Sequence, residues 1–174
     1  INNDALAEPQ WISSMVATAE ADSSIAGAAS IIIDGIRPEM LDSCGVGIGL
    51  DGMSRQSMRG MPVPQLTQAK EVLLFSGCAC LLRLDVLKEV GLFDEDFFSY
   101  CEDTDLGLRL RKAGWKIVVA PDAYVKHFYS MTGGKFSTQK IYWVERNHFW
   151  VAIKNLPWFL LIAIPIITIF RYFL

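Results

Sequence analysis

The spacing of apolar residues changes period several times along the chain. In "EPQWISSMVATAEA" the positions Ile12, Met15, Val16 and Ala19 recur at steps of three and four, which predicts an amphipathic helix with Pro9 in its first turn. "SIAGAASIII" is apolar almost throughout and reads as a buried strand closed by Asp34-Gly35. "GVGIGLDGMS" predicts a short strand entering an Asp51-Gly52 turn, as in a hairpin. Residues 53–70, rich in Met, Gln, Arg and Pro, read as a long polar loop, and loops of that length are often functional. "EVLLFSGCACLLRL" gives a strand, a small-residue turn at Ser76-Gly77, and apolar alternation. "DVLKEVGLFDEDF" predicts a short helix started by Asp85 and stopped by Gly91.

The second half continues the alternation. A helix carrying Leu106, Leu110 and Ala113 on its buried side ends at Gly114. "WKIVVAPDAYVKHF" supplies strand residues on both sides of a break at Pro121. "STQKIYWVERNHFWVAIKNLP" predicts a helix that stops before Pro157. Strands alternating with helices define an α/β domain. With 174 residues, 52% of them hydrophobic, the chain can bury one ordinary core, so one domain or a piece of one is expected.

Charge adds an asymmetry to this picture. Residues 1–105 hold 17 acidic against 6 basic side chains, and residues 106–174 hold 2 against 10. Either the second half faces something anionic, such as phosphate groups or lipid, or the two halves neutralise each other across the fold. Cys44, Cys78, Cys80 and Cys101 form no C-x-x-C pair, and His127 and His148 lie far from them in sequence. Neither a zinc site nor a disulfide scaffold is expected; the cysteines read as small buried residues in a reducing compartment. The first residues lack the basic and apolar regions of a signal peptide. "LPWFLLIAIPIITIF" is shorter than the ~20 apolar residues that span a bilayer, which leaves a truncated transmembrane helix, an interfacial helix or a terminal core helix. Trp158 and Arg171-Tyr172 at its two ends favour membrane contact.

The densest chemistry lies in "FFSYCEDTDLGLRLRKAGW". A helix beginning at about Asp103–Thr104 places the carboxylates of Glu102, Asp103 and Asp105 at its positive end, where free N–H groups favour ionised acids. Such a carboxylate, walled by Phe97, Phe98 and Tyr100, can accept a proton during a reaction. The same residues also suit a plain helix cap with an Asp105–Arg109 pair one turn apart.

The stretch "GCACLLRLDVLKEVGLFDEDFFSYCEDTDLGLRLRKAGWKIVVAPDAYVKHF" resembles the acceptor-side half of family-2 glycosyltransferases of the GT-A fold. "INNDALAEPQWI" resembles that family's metal-motif segment, and "YWVERNHFWVAIKNLP" is similar to the helix following the catalytic region in members that build rhamnose- or galactofuranose-containing surface polysaccharides. The likeness covers most of residues 1–157, and its specific part is 91–127. It implies an α/β fold, the C-terminal half of a Rossmann-like GT-A domain over residues 1–156 with a mixed sheet and flanking helices, and an apolar membrane-associated segment over 157–174.

By the same resemblance, Asp103 is the general base that takes the proton of the acceptor hydroxyl, and Glu102 binds the acceptor or orients the base. Asp4, Asn2 and His127 hold a divalent metal, Mg²⁺ or Mn²⁺, that bridges the donor diphosphate. Arg146 can reach that diphosphate as a fork of donors, and Gly77 can admit an acceptor sugar close to the backbone. The donor is a nucleotide-diphosphate sugar. The acceptor is a glycan or polyprenyl-diphosphate-linked saccharide at the cytoplasmic face of the cell membrane. Self-association is left open, and no nucleic acid is expected. The family's nucleotide-binding βαβ half precedes its metal motif, whereas this sequence begins at the motif. A fragment that binds nucleotide poorly and turns over no donor is therefore expected. A non-catalytic saccharide-binding module and a membrane-anchored interaction domain remain as alternatives.

Overall fold

A computed structural model describes residues 1–128 and 137–173. The elements run β1 (Ala5–Ala7), α1 (Trp11–Glu20), β2 (Ile25–Asp34), β3 (Leu41–Cys44), β4 (Val46–Ile48), β5 (Ser54–Gln56), β6 (Lys70–Val72) and β7 (Cys80–Leu82). There follow α2 (Leu84–Val90), a 3₁₀ turn (Glu95–Phe97), α3 (Glu102–Lys112), β8 (Lys116–His127), α4 (Thr138–Asn155) and α5 (Trp158–Arg171).

The sheet is mixed and six-stranded, with β2 and β8 paired in parallel at its centre. Antiparallel partners complete it: β1 and β6 on β8, β3 and β7 on β2. Strand β2 is buried at every residue, as its unbroken apolar run demands. Strand β8 runs straight through Pro121, where a break was expected. The proline sits in an irregularity instead: β2 pairs Ala29 with Val119 and then Ile31 with Tyr124, and Asp122 takes φ 57°. A bulge is where a sheet tolerates proline, because the missing N–H then costs no ladder bond.

Helices cover both faces of the sheet. On one, Met15 of α1 drops onto a floor of Ala28, Ala120 and Ala123. The buried side of α1 is Met15, Thr18 and Ala19. Ile12 and Val16, expected beside them, are 52% and 38% exposed, and Pro9 precedes the helix rather than lying in its first turn. On the other face, Leu106 and Leu110 of α3 join Phe75, Ile117 and Val119. Gly107 lets α3 approach closely, since a Cβ there would stand 2.8 Å from Leu74 Cδ2. Ala113, expected on the buried side, is exposed. Leu110→Ala would cost about 2–5 kcal/mol through lost burial and the cavity left behind.

The hairpin at Asp51-Gly52 forms as β4 and β5, with Val46 opposite Gln56. The expected 53–70 loop is mostly turns and irregular chain, but it holds β5, and Pro62 bridges to Met40. All four cysteines are free, three of them buried. Helix α5 has Pro165 within it and turns Ile164 and Thr168 inward, leaving Phe159, Ile162, Ile166, Ile169 and Phe170 exposed. Among the described residues no helix is long and apolar enough to cross a membrane.

Candidate active site

Helix α3 starts at Glu102, a residue earlier than the sequence suggested, behind a left-handed Cys101 (φ 67°). Its first turn carries Glu102, Asp103 and Asp105, and the structure sends them in different directions. Asp105, with no exposed surface, turns toward α4. It accepts from Arg109 Nε at 2.9 Å and Asn155 Nδ2 at 2.7 Å, with Lys154 Nζ at 3.3 Å. This is the predicted i,i+4 pair, made stronger by burial and by further donors.

Asp103 faces the other way, into a cavity of about 450 Å³ whose lining includes Asn2, Gly77, Cys78, Glu102 and His127. Its Oδ2 accepts from the Gly77 N–H at 2.7 Å and its Oδ1 from the Thr104 N–H at 2.7 Å. Among the described residues it has no ion-pair partner. Burial pushes its carboxyl above the ordinary aspartate range against these hydrogen bonds, which favour the anion. That balance yields a stronger base than a solvated aspartate. The Gly77 contact depends on glycine, since a Cβ there would lie 3.2 Å from both Cβ and Oδ2 of Asp103. Burial, and secondarily the charge of Asp103, raise the pKa of Glu102, whose Oε2 is buried without a hydrogen-bond partner among the described residues. A buried acceptor in that state can receive a hydrogen bond from an incoming donor.

Across the cavity, register rather than sequence proximity assembles a second group. Pairing of β1 with β8 sets Ala5 opposite His127, which brings Asp4 to the imidazole. His127 Nε2 stands 3.4 Å from Asp4 Oδ1, and Nδ1 is 2.9 Å from Asp42 Oδ2. The hydrogen bond that the ring donates to Asp42, and secondly one with Cys78, push the imidazole pKa up to about 10, so a cation binding at Nε2 would displace a proton. A carboxylate on Nδ1 is the usual device for fixing the ring so that Nε2 can ligate. Among the described residues no three His, Cys, Asp or Glu side chains form a metal cluster. The donors present, Asp4 and Nε2 of His127 with Asn2 on the same cavity wall, suit a hard cation that takes its other ligands from phosphate oxygens.

Five of the seven site residues read from the sequence therefore line one space, Asn2, Gly77, Glu102, Asp103 and His127, and Asp4 adjoins it through its contact with His127. Arg146 does not. Its guanidinium donates to the carbonyls of Asp96 and Phe97 and lies 4.5 Å over the Trp150 ring, all outside the cavity lining. Of the aromatic wall, Tyr100 lines the cavity, Phe97 is buried in the core behind it, and Phe98 is 75% exposed against Trp143. Asp42 was missed. An acid inside a strand that must be buried needs a buried partner, and that was the available signal. A larger hollow of about 550 Å³ near α1 is lined by Asp22, Glu71 and Lys116, yet Asp22 and Lys116 already pair at 3.0 Å.

The mixed sheet flanked by helices has the GT-A fold, as superposition on a solved structure shows. A solved structure described as "GalNAc-T7 with UDP, GalNAc and Mn2+" superposes with a TM-score of 0.63 at 16% identity, covering 85% of this chain and 30% of that one. The sequence model of glycosyltransferase like family 2 matches residues 1–155, and the chain belongs to that family. Curated relatives include the N-acetylglucosaminyl-diphospho-decaprenol L-rhamnosyltransferase of Mycobacterium tuberculosis, 47% identical over 60 residues. That alignment spans 34% of this chain and 20% of the relative. The rhamnosyltransferase WbbL of Escherichia coli K12 is 31% identical over 74 residues, 42% of this chain and 28% of that protein.

Proposed function

We propose that the protein serves an inverting glycosyl transfer, from a nucleoside-diphosphate sugar to a saccharide acceptor used in surface-polysaccharide synthesis. The observation that carries the reading is the placement of Asp103. It is ion-pair-free among the described residues, held by two N–H groups, and shares a cavity with His127, which contacts Asp4. Asp103 takes the proton of the acceptor hydroxyl as the oxygen attacks the anomeric carbon. Glu102 accepts a second hydroxyl and orients the sugar. Asp4, Asn2 and Nε2 of His127 are the residues that would hold a divalent cation, which when bound offsets charge on the leaving diphosphate. The mycobacterial relative, named for L-rhamnosyl transfer to N-acetylglucosaminyl-diphospho-decaprenol, supports L-rhamnose as donor sugar and a lipid-linked saccharide as acceptor, and the second relative's name supports rhamnosyl transfer. The exposed apolar face of α5 supports contact with a membrane, and the reading sets that contact at the cytoplasmic face.

The matched region spans only a fifth of the mycobacterial relative, so the test uses the full gene product. Incubated with nucleoside-diphosphate L-rhamnose, Mn²⁺ and N-acetylglucosaminyl-diphospho-polyprenol, it is expected to yield a rhamnosylated lipid. Binding of the saccharide that ignores both Asp103 and Mn²⁺, with no transfer from any of several nucleotide sugars, would overturn the reading in favour of a non-catalytic module. Asp4→Ala is expected to weaken Mn²⁺ binding at least tenfold by calorimetry and to leave the acceptor affinity unchanged.

A further inference from the structure

The segment joining the 3₁₀ turn to α3 is strained. Phe98 takes φ 60° and ψ −58°, and the Ser99 N–H donates to the Phe97 carbonyl at 2.7 Å. Those dihedrals and that bond make a γ-turn of the rare, strained kind. Two residues later Tyr100 (φ 70°) and Cys101 (φ 67°) are both left-handed, and none of the three is glycine. Glu102 and Asp103 come next. Strain this concentrated persists only where surrounding structure imposes it.

The imposing group is a single amide. Asn147 of α4 has no exposed surface, and its Nδ2 donates to the carbonyls of Phe97, Ser99 and Tyr100 at 3.0, 2.8 and 2.7 Å. Three carbonyls of one short segment thus converge on the two hydrogens of one –NH₂ group. Asn147 Oδ1 accepts from Arg146 Nε at 2.8 Å, which fixes which way the amide faces. Arg146 in turn grips the Asp96 and Phe97 carbonyls at 3.1 and 3.0 Å.

We infer that Asn147, oriented by Arg146, is a positioning residue for the transfer reaction. It holds the left-handed segment 98–101 so that α3 begins where Asp103 meets the Gly77 N–H. The inference rests on the reading of Asp103 as base. It assigns the arginine–asparagine pair of α4 a task remote from any ligand: Asn147 touches neither the cavity nor Asp103 and acts through the backbone between them. Without the clamp the three strained residues relax toward negative φ, and the first turn of α3 rotates or frays. A displacement near 1 Å at a reacting group costs a hundredfold in rate, so this route to catalysis is sensitive.

The test measures transfer and nucleotide binding together in the full gene product. Asn147→Ala is expected to lower kcat ~100-fold, with donor KM within threefold and one nucleoside diphosphate still bound per chain by calorimetry. Adding Phe98→Gly, which lets the γ-turn form without a Cβ penalty, is expected to restore roughly tenfold of that loss. A binding stoichiometry that falls in step with kcat, or transfer within twofold of wild type, would overturn the inference. Should Asn147→Ala fail to fold, Arg146→Lys decides. It keeps the charge but frees the amide, and a wild-type kcat there also overturns the clamp. If wild type transfers no sugar at all, the reaction reading fails and the clamp is judged separately. Amide exchange over residues 98–104 must then quicken in Asn147→Ala while that over β2 and β8 does not.

Discussion

The two faces of helix α3 put the same chemical group to opposite uses. Asp103 and Asp105 are two residues apart and share one helix dipole, Asp105 fully buried and Asp103 half-buried at the cavity. Asp105 is surrounded by cations and an amide: Arg109, Lys154 and Asn155. Its charge is consumed in fastening α3 to α4. Among the described residues Asp103 meets only neutral donors, the N–H groups of Gly77 and Thr104 and the Thr104 hydroxyl at 3.3 Å, and a cavity. A carboxylate that is already neutralised by a fixed cation is a poor proton acceptor; one held by uncharged donors and raised by burial is a good one. Acidity at a helix N-terminus is therefore uninformative until the partners are known.

The largest expected effect breaks this contrast on the cavity side. Asp103→Asn should lower transfer by about a thousandfold while nucleotide and acceptor binding persist, as steady-state kinetics beside calorimetry will read. A residual rate within a few-fold of wild type would place the base elsewhere. The pH profile sharpens the same point. Because burial raises the Asp103 pKa above the ordinary 3.8, the rate should fall as pH drops through that raised value, where the protonated acid no longer accepts a proton. The acid limb should therefore lie above pH 3.8. For stability the sign is reversed: the cost of holding the anion grows as pH climbs past 3.8 and is complete above the folded-state pKa, so this group favours the fold at the acid end.

On the α4 side, Asp105→Asn should cost about 3 kcal/mol in urea unfolding, since it leaves the Arg109 and Lys154 charges without their buried partner. Donor KM of the folded fraction should not change. If this variant instead matched Asp103→Asn in kcat without loss of stability, the division of labour between the two faces would be wrong. The smallest expected effect tests how finely the cavity side is set. Gly77→Ala must displace Asp103 by a few tenths of an ångström, so kcat should fall ~10-fold with stability nearly unchanged.

Much of this was legible in the chain, for a definite reason in each case. The unbroken apolar run 25–34, the Asp51-Gly52 turn and the stop before Pro157 are local signals, and each became the expected element. Periodicity failed on α1, where Met15 found an alanine floor and Ala19 was buried while Ile12 and Val16 remained outside. A period identifies a stripe, but packing chooses its centre. Pro121 was misjudged because a bulge in register, invisible in sequence, absorbs the missing donor. Arg146 carried the right functional groups for a diphosphate, and the tertiary structure spent them on carbonyls 49 and 50 residues away.

The sequence by itself determined the alternation of elements and the gathering of three acids at one helix start, because both depend on neighbours within a few residues. Only the tertiary structure decided which acid is free to react. Asp103 acquires its Gly77 donor across 26 residues, and Asp105 its asparagine across 50. His127 receives Asp42 across 85. Solvation and neutralising charge are properties of what surrounds a group in space, and sheet register and helix packing alone bring those surroundings together.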